Sequence, residues 1–340
     1  MRSYYYEQLD PAEKQYYLQL LDAVQKEAPG CTSFIITSPD RLKNITSAVE
    51  YDHPELFHTE LNRFCFEVYP WKIKQKLYYK FAGREKQGRE QALKQKISEL
   101  TTYLKRANPR DEADQCMWFY RYLVEHTSYN EDALSDYPEH KSAFDASGVL
   151  LDNKGVCIGI SKAFQLLCGT VGVDCRLVTG RTILNEEEGG QSDGEHAWNI
   201  LSIHGKSGHV DATWDISMSR SSGQTRVDYF FVPDVFLQSD HEYHGPQCDG
   251  EQYSYFAHTG KLFATGAQLQ QYLDAELSKQ GIPTLYFKIN RAPSVFNNIS
   301  STIDTQVYQA ARSHGYRVCI KVHNSHQMCF FYRLETVGGG

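Results

Sequence analysis

Apolar positions along this chain recur with two different periods, and the change from one to the other divides it into segments. Residues 4–28 place Tyr6, Leu9, Tyr16, Tyr17, Leu20, Leu21 and Val24 at helical spacing. Asp10-Pro11 has the form of an N-cap followed by the first helical residue, and Pro29-Gly30 closes the run. Ser33 to Thr37 is a β-branched stretch and is predicted as a strand, and Ala48 to Phe57 as a helix and a turn. Phe64–Tyr69 and Ile73–Phe81 are predicted as a hairpin bent at Pro70-Trp71. From Arg84 to Arg106 one stripe of Leu93, Ile97, Leu100 and Leu104 runs through charged residues, which predicts an amphipathic helix, and a second helix is predicted from Glu112 to His126.

Beyond residue 142 helix and strand signals follow in quick succession as far as residue 235, and residues 236–262, rich in Gly, His, Tyr and Ser, are predicted as a loop or linker. Regular elements then return. Ala267–Lys279 and Ile299–Ser313 are predicted helices, Thr284–Ile289 a strand, and Val318–Val322 with Met328–Leu334 a hairpin around Asn324-Ser325. The resulting divisions are a helix-rich region with a hairpin over 1–109, a core over 110–235, the linker over 236–262, a small α+β unit over 263–336 and a glycine tail over 337–340.

Composition narrows the class. With 340 residues and 41% hydrophobic residues the chain can bury a real core. The net charge of −7 argues against a nucleic-acid partner. The first residues lack the apolar segment of a secretory signal, and no apolar run approaches the ~18 residues of a membrane span. Nine scattered cysteines with no C-x-x-C pair suit neither a disulfide framework nor a structural zinc site, so a reducing, cytoplasmic setting is expected.

The chemistry-bearing residues lie in two stretches. After Gly155, apolar residues at Val156, Ile160, Ala163, Phe164, Leu167 and Val171 follow helical spacing, which puts Cys157 in the first turn of a helix. Unpaired N–H groups and the positive end of the helix dipole stabilise a thiolate there. The small neighbours Gly155 and Gly159 are expected to leave room for a substrate carbonyl, and the Cys157 N–H is a candidate oxyanion donor. In the second stretch His196, Trp198, Ile200 and Ser202 alternate with the intervening residues, and His209 to Trp214 alternates again across a His204-Gly205 turn. That register sets Trp198 opposite Asp211 and His196 opposite Thr213. His196 and Asp211 then become diagonal neighbours on one face, as a carboxylate orienting an imidazole requires.

The ordered set G-V-C-I-G-I-S-K-A-F, H-A-W-N and V-D-A-T-W-D resembles the core of the transglutaminase-like superfamily. DHPELF at 52–57 and the C-terminal α+β unit resemble the flanks of large bacterial members. The resemblance implies an α+β, papain-like fold, with a catalytic helix packed on an antiparallel sheet. It also implies Cys157 as nucleophile, His196 as base and Asp211 as orienting carboxylate. A family Trp upstream of the Cys assists the oxyanion. Tyr129 or Trp118 stands in its place here, with Trp198 and Trp214 as further substrate-lining candidates.

No cofactor and no metal is expected. His241, His244 and Cys248 have a loose H-x-x-H-x-x-x-C spacing but read better as a polar surface loop. Glu186 to Glu188 before Gly189-Gly190 read as a solvated loop or as a lid near His196. The leading function is amide-bond chemistry on a peptide or protein through a thioester, with hydrolysis favoured because no acceptor site is legible. The alternatives are a cross-linking transglutaminase, a non-catalytic binding or scaffold protein, and a redox protein. The last would need a resolving cysteine, and Cys168 lies about three helical turns beyond Cys157.

Overall fold

A computed structural model describes residues 3–183 and 194–337, which leaves the Glu186–Glu188 loop and the Gly338–Gly340 tail outside the described residues. The fold is α+β. It divides into two compact units. One holds the described residues up to Thr179 together with Ala197–Ile203 and Asp211–Ser217, and the other holds the remainder.

The first unit begins with the helix Pro11–Gln25, closed at its start by a reciprocal Asp10/Glu13 capping box. The helix Pro39–Asp52 packs beside it, and Tyr17, Leu20, Val24, Leu42, Ile45 and Val49 form their shared core. Asp52 ties the first residues down, accepting from the Tyr5 and Tyr6 N–H groups and from the Tyr17 hydroxyl. The central strand Lys72–Lys76 pairs with Phe66–Tyr69 across the expected bend and with Gly30–Ser33 on its other side.

The strand predicted at Ser33–Thr37 therefore lies three residues earlier. The Ser33 hydroxyl accepts from the Ile36 N–H and turns the chain, burying Ile36 while Phe34 and Ile35 face solvent. The helix predicted from Ala48 starts at Pro39, where Ser38 caps it. The amphipathic helix runs Gly83–Ala107 and buries Leu93, Leu100 and Leu104. The helix Glu112–His126 packs on Cys157–Thr170, with Tyr120 edge-on to Phe164 at 5.9 Å.

A five-stranded sheet has the order His241–Glu242, Asp174–Thr182, Glu195–Ile203, Lys206–Val210, Phe230–Val232. His204 and Gly205, both at positive φ, make the two-residue turn expected between the third and fourth of these strands. The alternation read through to Trp214 does not continue as strand. Backbone pairing stops at Val210, and the helix Ala212–Ser222 begins.

The second unit ends in a four-stranded sheet whose spatial order is Leu262–Phe263, Thr284–Ile289, Cys329–Thr336, Tyr316–Asn324. The helices Gly266–Leu277 and Phe296–Ser313 bury Leu269, Leu273, Ile303 and Val307. Residues 236–262, expected as a loop or linker, carry short elements and bury His241, Cys248, Ser254 and Phe256. His241 pairs there with the buried Asp240, which composition alone does not reveal. Among the described residues no helix is long and apolar enough to cross a membrane.

Candidate active site

Cys157 is the first residue of its helix, with Val156 extended before it as N-cap. It is half-buried. Of the three cysteines that are not buried, Cys157 alone opens a helix. Cys65 lies in a loop and Cys319 in a strand. The helix start is held from behind by the Ala143 carbonyl, which accepts the Val156 N–H at 3.0 Å.

That carbonyl also explains the neighbouring glycines. A Cβ on Gly159 would lie 2.2 Å from the Ala143 oxygen, and one on Gly155 would lie 2.4 Å from a Val149 methyl. The space beside both glycines is taken by the protein's own backbone and core, not by substrate. Gly159→Ala is therefore expected to destabilise the protein by about 1–3 kcal/mol, since a backbone oxygen cannot swing aside. Urea denaturation of the variant and the parent measures this, and a change below ~0.5 kcal/mol would show that the Ala143 turn yields freely.

Tyr129 approaches from the strand Ser128–Tyr129, which pairs in parallel with Lys154–Gly155 and sets Tyr129 opposite Gly155, two residues before Cys157. Burial pushes its phenol up, and negative charge on Cys157 and on Asp211 pushes it further, while the Cys157 backbone offers it a hydrogen bond. Tyr129 is thus a protonated O–H donor beside the thiol. Its surroundings include both Cys157 and Asp211.

Asp211 is buried and sits where strand passes into helix. Its Oδ1 accepts from the backbone N–H of Thr213 at 2.9 Å and of Trp214 at 3.4 Å, so it caps the helix Ala212–Ser222. Its carbonyl accepts from the Tyr120 hydroxyl, which also donates to Asp215 at 2.5 Å. The sequence pattern gave no sign of Tyr120. It occupies one of the apolar positions of an amphipathic helix and reads as core.

His196 lies at the start of the strand Glu195–Ile203 and is largely buried. One helical turn after Cys157, the Ser161 hydroxyl donates to the carbonyl of Ala197, the residue that follows His196, and to the Cys157 carbonyl. The Asn199 amide donates to the Ser161 carbonyl at 3.1 Å. These bonds fix the Cys157 helix against the His196 strand.

Trp118 stacks on Tyr122 on the outer part of its own helix, with ring centroids 6.0 Å apart. Trp198 is fully buried. Trp214 sits half-buried in the first turn of its helix, not on a strand.

The expected surface loop of His241, His244 and Cys248 is also corrected. His244 is exposed, but His241 and Cys248 are buried. Cys248 instead lies with His209 and Asp234, where Asp234 accepts from the Cys248 N–H at 3.1 Å and bonds His209 Nε2 at 2.8 Å. Both bonds fall on the same oxygen, Asp234 Oδ1. Cys168 cannot resolve an oxidised Cys157, because it is turned into the core against Cys116 at 3.7 Å and burial raises its thiol well above the usual range.

The family described as "Transglutaminase-like superfamily" matches residues 91–212. Kyphoscoliosis peptidase of Mus musculus is 26% identical over 158 residues, covering 44% of this chain and 23% of the relative. The Homo sapiens protein of that name is 26% identical over 150 residues, covering 42% and 22%. The match thus spans under a quarter of either relative's length. A solved structure described as "Crystal structure of a TGase" is 14% identical, with a TM-score of 0.30 over 56% of this chain and 47% of that one. Residues 91–212, which hold Cys157, Tyr129, His196 and Asp211, match the transglutaminase-like superfamily.

Proposed function

We propose that this protein is a cysteine-dependent acyl-transfer enzyme that cleaves peptide or amide bonds through a thioester. The observation that carries the reading is Cys157 itself, a half-buried thiol at a helix start, with the Tyr129 hydroxyl beside it. Two relatives that bear the name of a peptidase support the same reading.

In this mechanism His196 takes the thiol proton, and the helix N-terminus stabilises the resulting thiolate. The thiolate attacks the carbonyl carbon, and the electron pair moves to oxygen. The Cys157 N–H and the Tyr129 O–H stabilise that oxyanion. Collapse expels the amine, which takes the proton back from His196, and leaves the thioester. Asp211 orients the imidazole and balances its charge. Water then attacks with His196 as base, releases the acid and restores the thiol. A primary amine in place of water gives transamidation, the second outcome open to the same acyl-enzyme.

The pH dependence of iodoacetamide labelling at Cys157, followed by mass spectrometry, tests the assignment. Rapid labelling is expected well below the free-thiol value of about 8.5, with clear slowing in His196→Ala. Labelling no faster than at Cys65 or Cys319, and indifferent to His196, would leave a non-catalytic binding protein as the better reading.

A further inference from the structure

Beside His196 stands a second histidine that the mechanism above does not use. His241 is fully buried, and its ring centroid lies 5.4 Å from that of His196, with the planes tilted by 45°. Its backbone is fixed by antiparallel pairing of His241 with Thr182, whose own N–H donates to Gly194, two residues before His196. His241 Nδ1 is 2.5 Å from an Asp240 oxygen, and the other Asp240 oxygen accepts the Tyr229 hydroxyl at 2.5 Å. Tyr229 and Asp240 are fully buried too. A buried row Tyr229–Asp240–His241 therefore ends on the ring of His196.

Such a row is costly as mere packing, since apolar residues of the same volume fill a core at least as well. Its chemistry is definite. The Asp240 carboxylate accepts from both neighbours, which fixes the Nδ1–H tautomer of His241 and favours a second proton on Nε2.

We propose that His241, held by Asp240 and Tyr229, is a positioning residue that sets the pH range over which His196 gains and loses its proton. This rests on the reading of His196 as the catalytic base. Two imidazoles in contact titrate as a coupled pair, and positive charge on one disfavours it on the other. Charge on His241 makes the His196 imidazolium a readier donor to a departing amine. Among the described residues, other ionisable groups bearing on the pair include His209, which senses the charge of His241, and Glu242 and Arg181 at the next position of the strand pairing. The assigned triad adds the Cys157 thiolate and the Asp211 carboxylate.

The test is a ¹³C-histidine NMR titration of the full chain, reading the His196 ring in the parent and in His241→Gln and His241→Phe. Loss of the neighbouring charge is expected to raise the His196 midpoint by about one pH unit, the threshold of strong coupling. In the parent, the His196 and His241 curves are expected to be biphasic and mutually dependent, a readout that needs no variant to fold. Independent single-step curves in the parent, or an unshifted His196 midpoint in folded variants, would overturn the proposal. Failure of the underlying reading is separate: His196→Ala would leave Cys157 alkylation unchanged while the ring titrations stayed coupled.

Discussion

Under the proposed mechanism, Cys157→Ala is expected to lower turnover of a peptide or amide substrate by about 10⁴-fold or more, because removing the nucleophile of an acyl-transfer set leaves only binding and oxyanion stabilisation. The fold is expected to survive. Cys157 is half-buried, and the helix start is held by the Ala143 carbonyl and by the Ser161 bonds to Ala197, none of which uses the thiol. The assay is hydrolysis of a fluorogenic peptide pool alongside thermal unfolding of the same samples. Residual turnover within tenfold of the parent would remove Cys157 from the mechanism.

Asp211→Asn makes a sharper partner to this experiment than Asp211→Ala. Asn caps a helix as well as Asp does, so it preserves the bonds to the Thr213 and Trp214 N–H groups while removing the charge that, in the proposed mechanism, balances the imidazolium. Loss of activity at near-parental stability separates the two tasks of this carboxylate. Asp211→Ala loses both, at a stability cost of about 1 kcal/mol from the cap alone.

The largest stability effect is expected far from the thiol, at Asp228→Ala in the second unit. Arg226 and Asp228 are fully buried and bonded at 2.6 Å. Asp228 also accepts from the Tyr286 hydroxyl and from the Asn324 amide, and the Arg226 guanidinium lies 5.0 Å from the Tyr286 ring centre. Removing the carboxylate strands a guanidinium in the core, at a cost of about 3–5 kcal/mol. That is a large share of the 5–15 kcal/mol that ordinarily holds a domain together. Chemical denaturation read by the tyrosine and tryptophan signal measures it. The paired change Arg226→Met with Asp228→Leu is expected to recover most of the loss, since it removes both charges together. A cost under 1 kcal/mol for Asp228→Ala alone would mean that water reaches Arg226.

The pattern of residues determined much of this protein. Local signals placed Cys157 at a helix start, the two-residue turn at His204-Gly205, and the helix Glu112–His126 at its observed ends. Each depends on periodicity and turn chemistry that act within a few residues. The alternation from His209 ran on into Trp214 because apolar spacing over so few residues does not tell a strand from the first turn of a helix. The Asp211 carboxylate decides it by capping Thr213 and Trp214.

Only the tertiary structure decided which polar residues face inward. Glycines read as room for substrate are packed on Ala143 and Val149. A histidine read as part of a surface loop is buried in a row with Asp240 and Tyr229. Tyr120, hidden among core aromatics, links Asp211 to Asp215. The two polar cases share a cause. A buried polar group is stable only when partners meet it, and those partners come from positions distant in the chain, which no local pattern encodes.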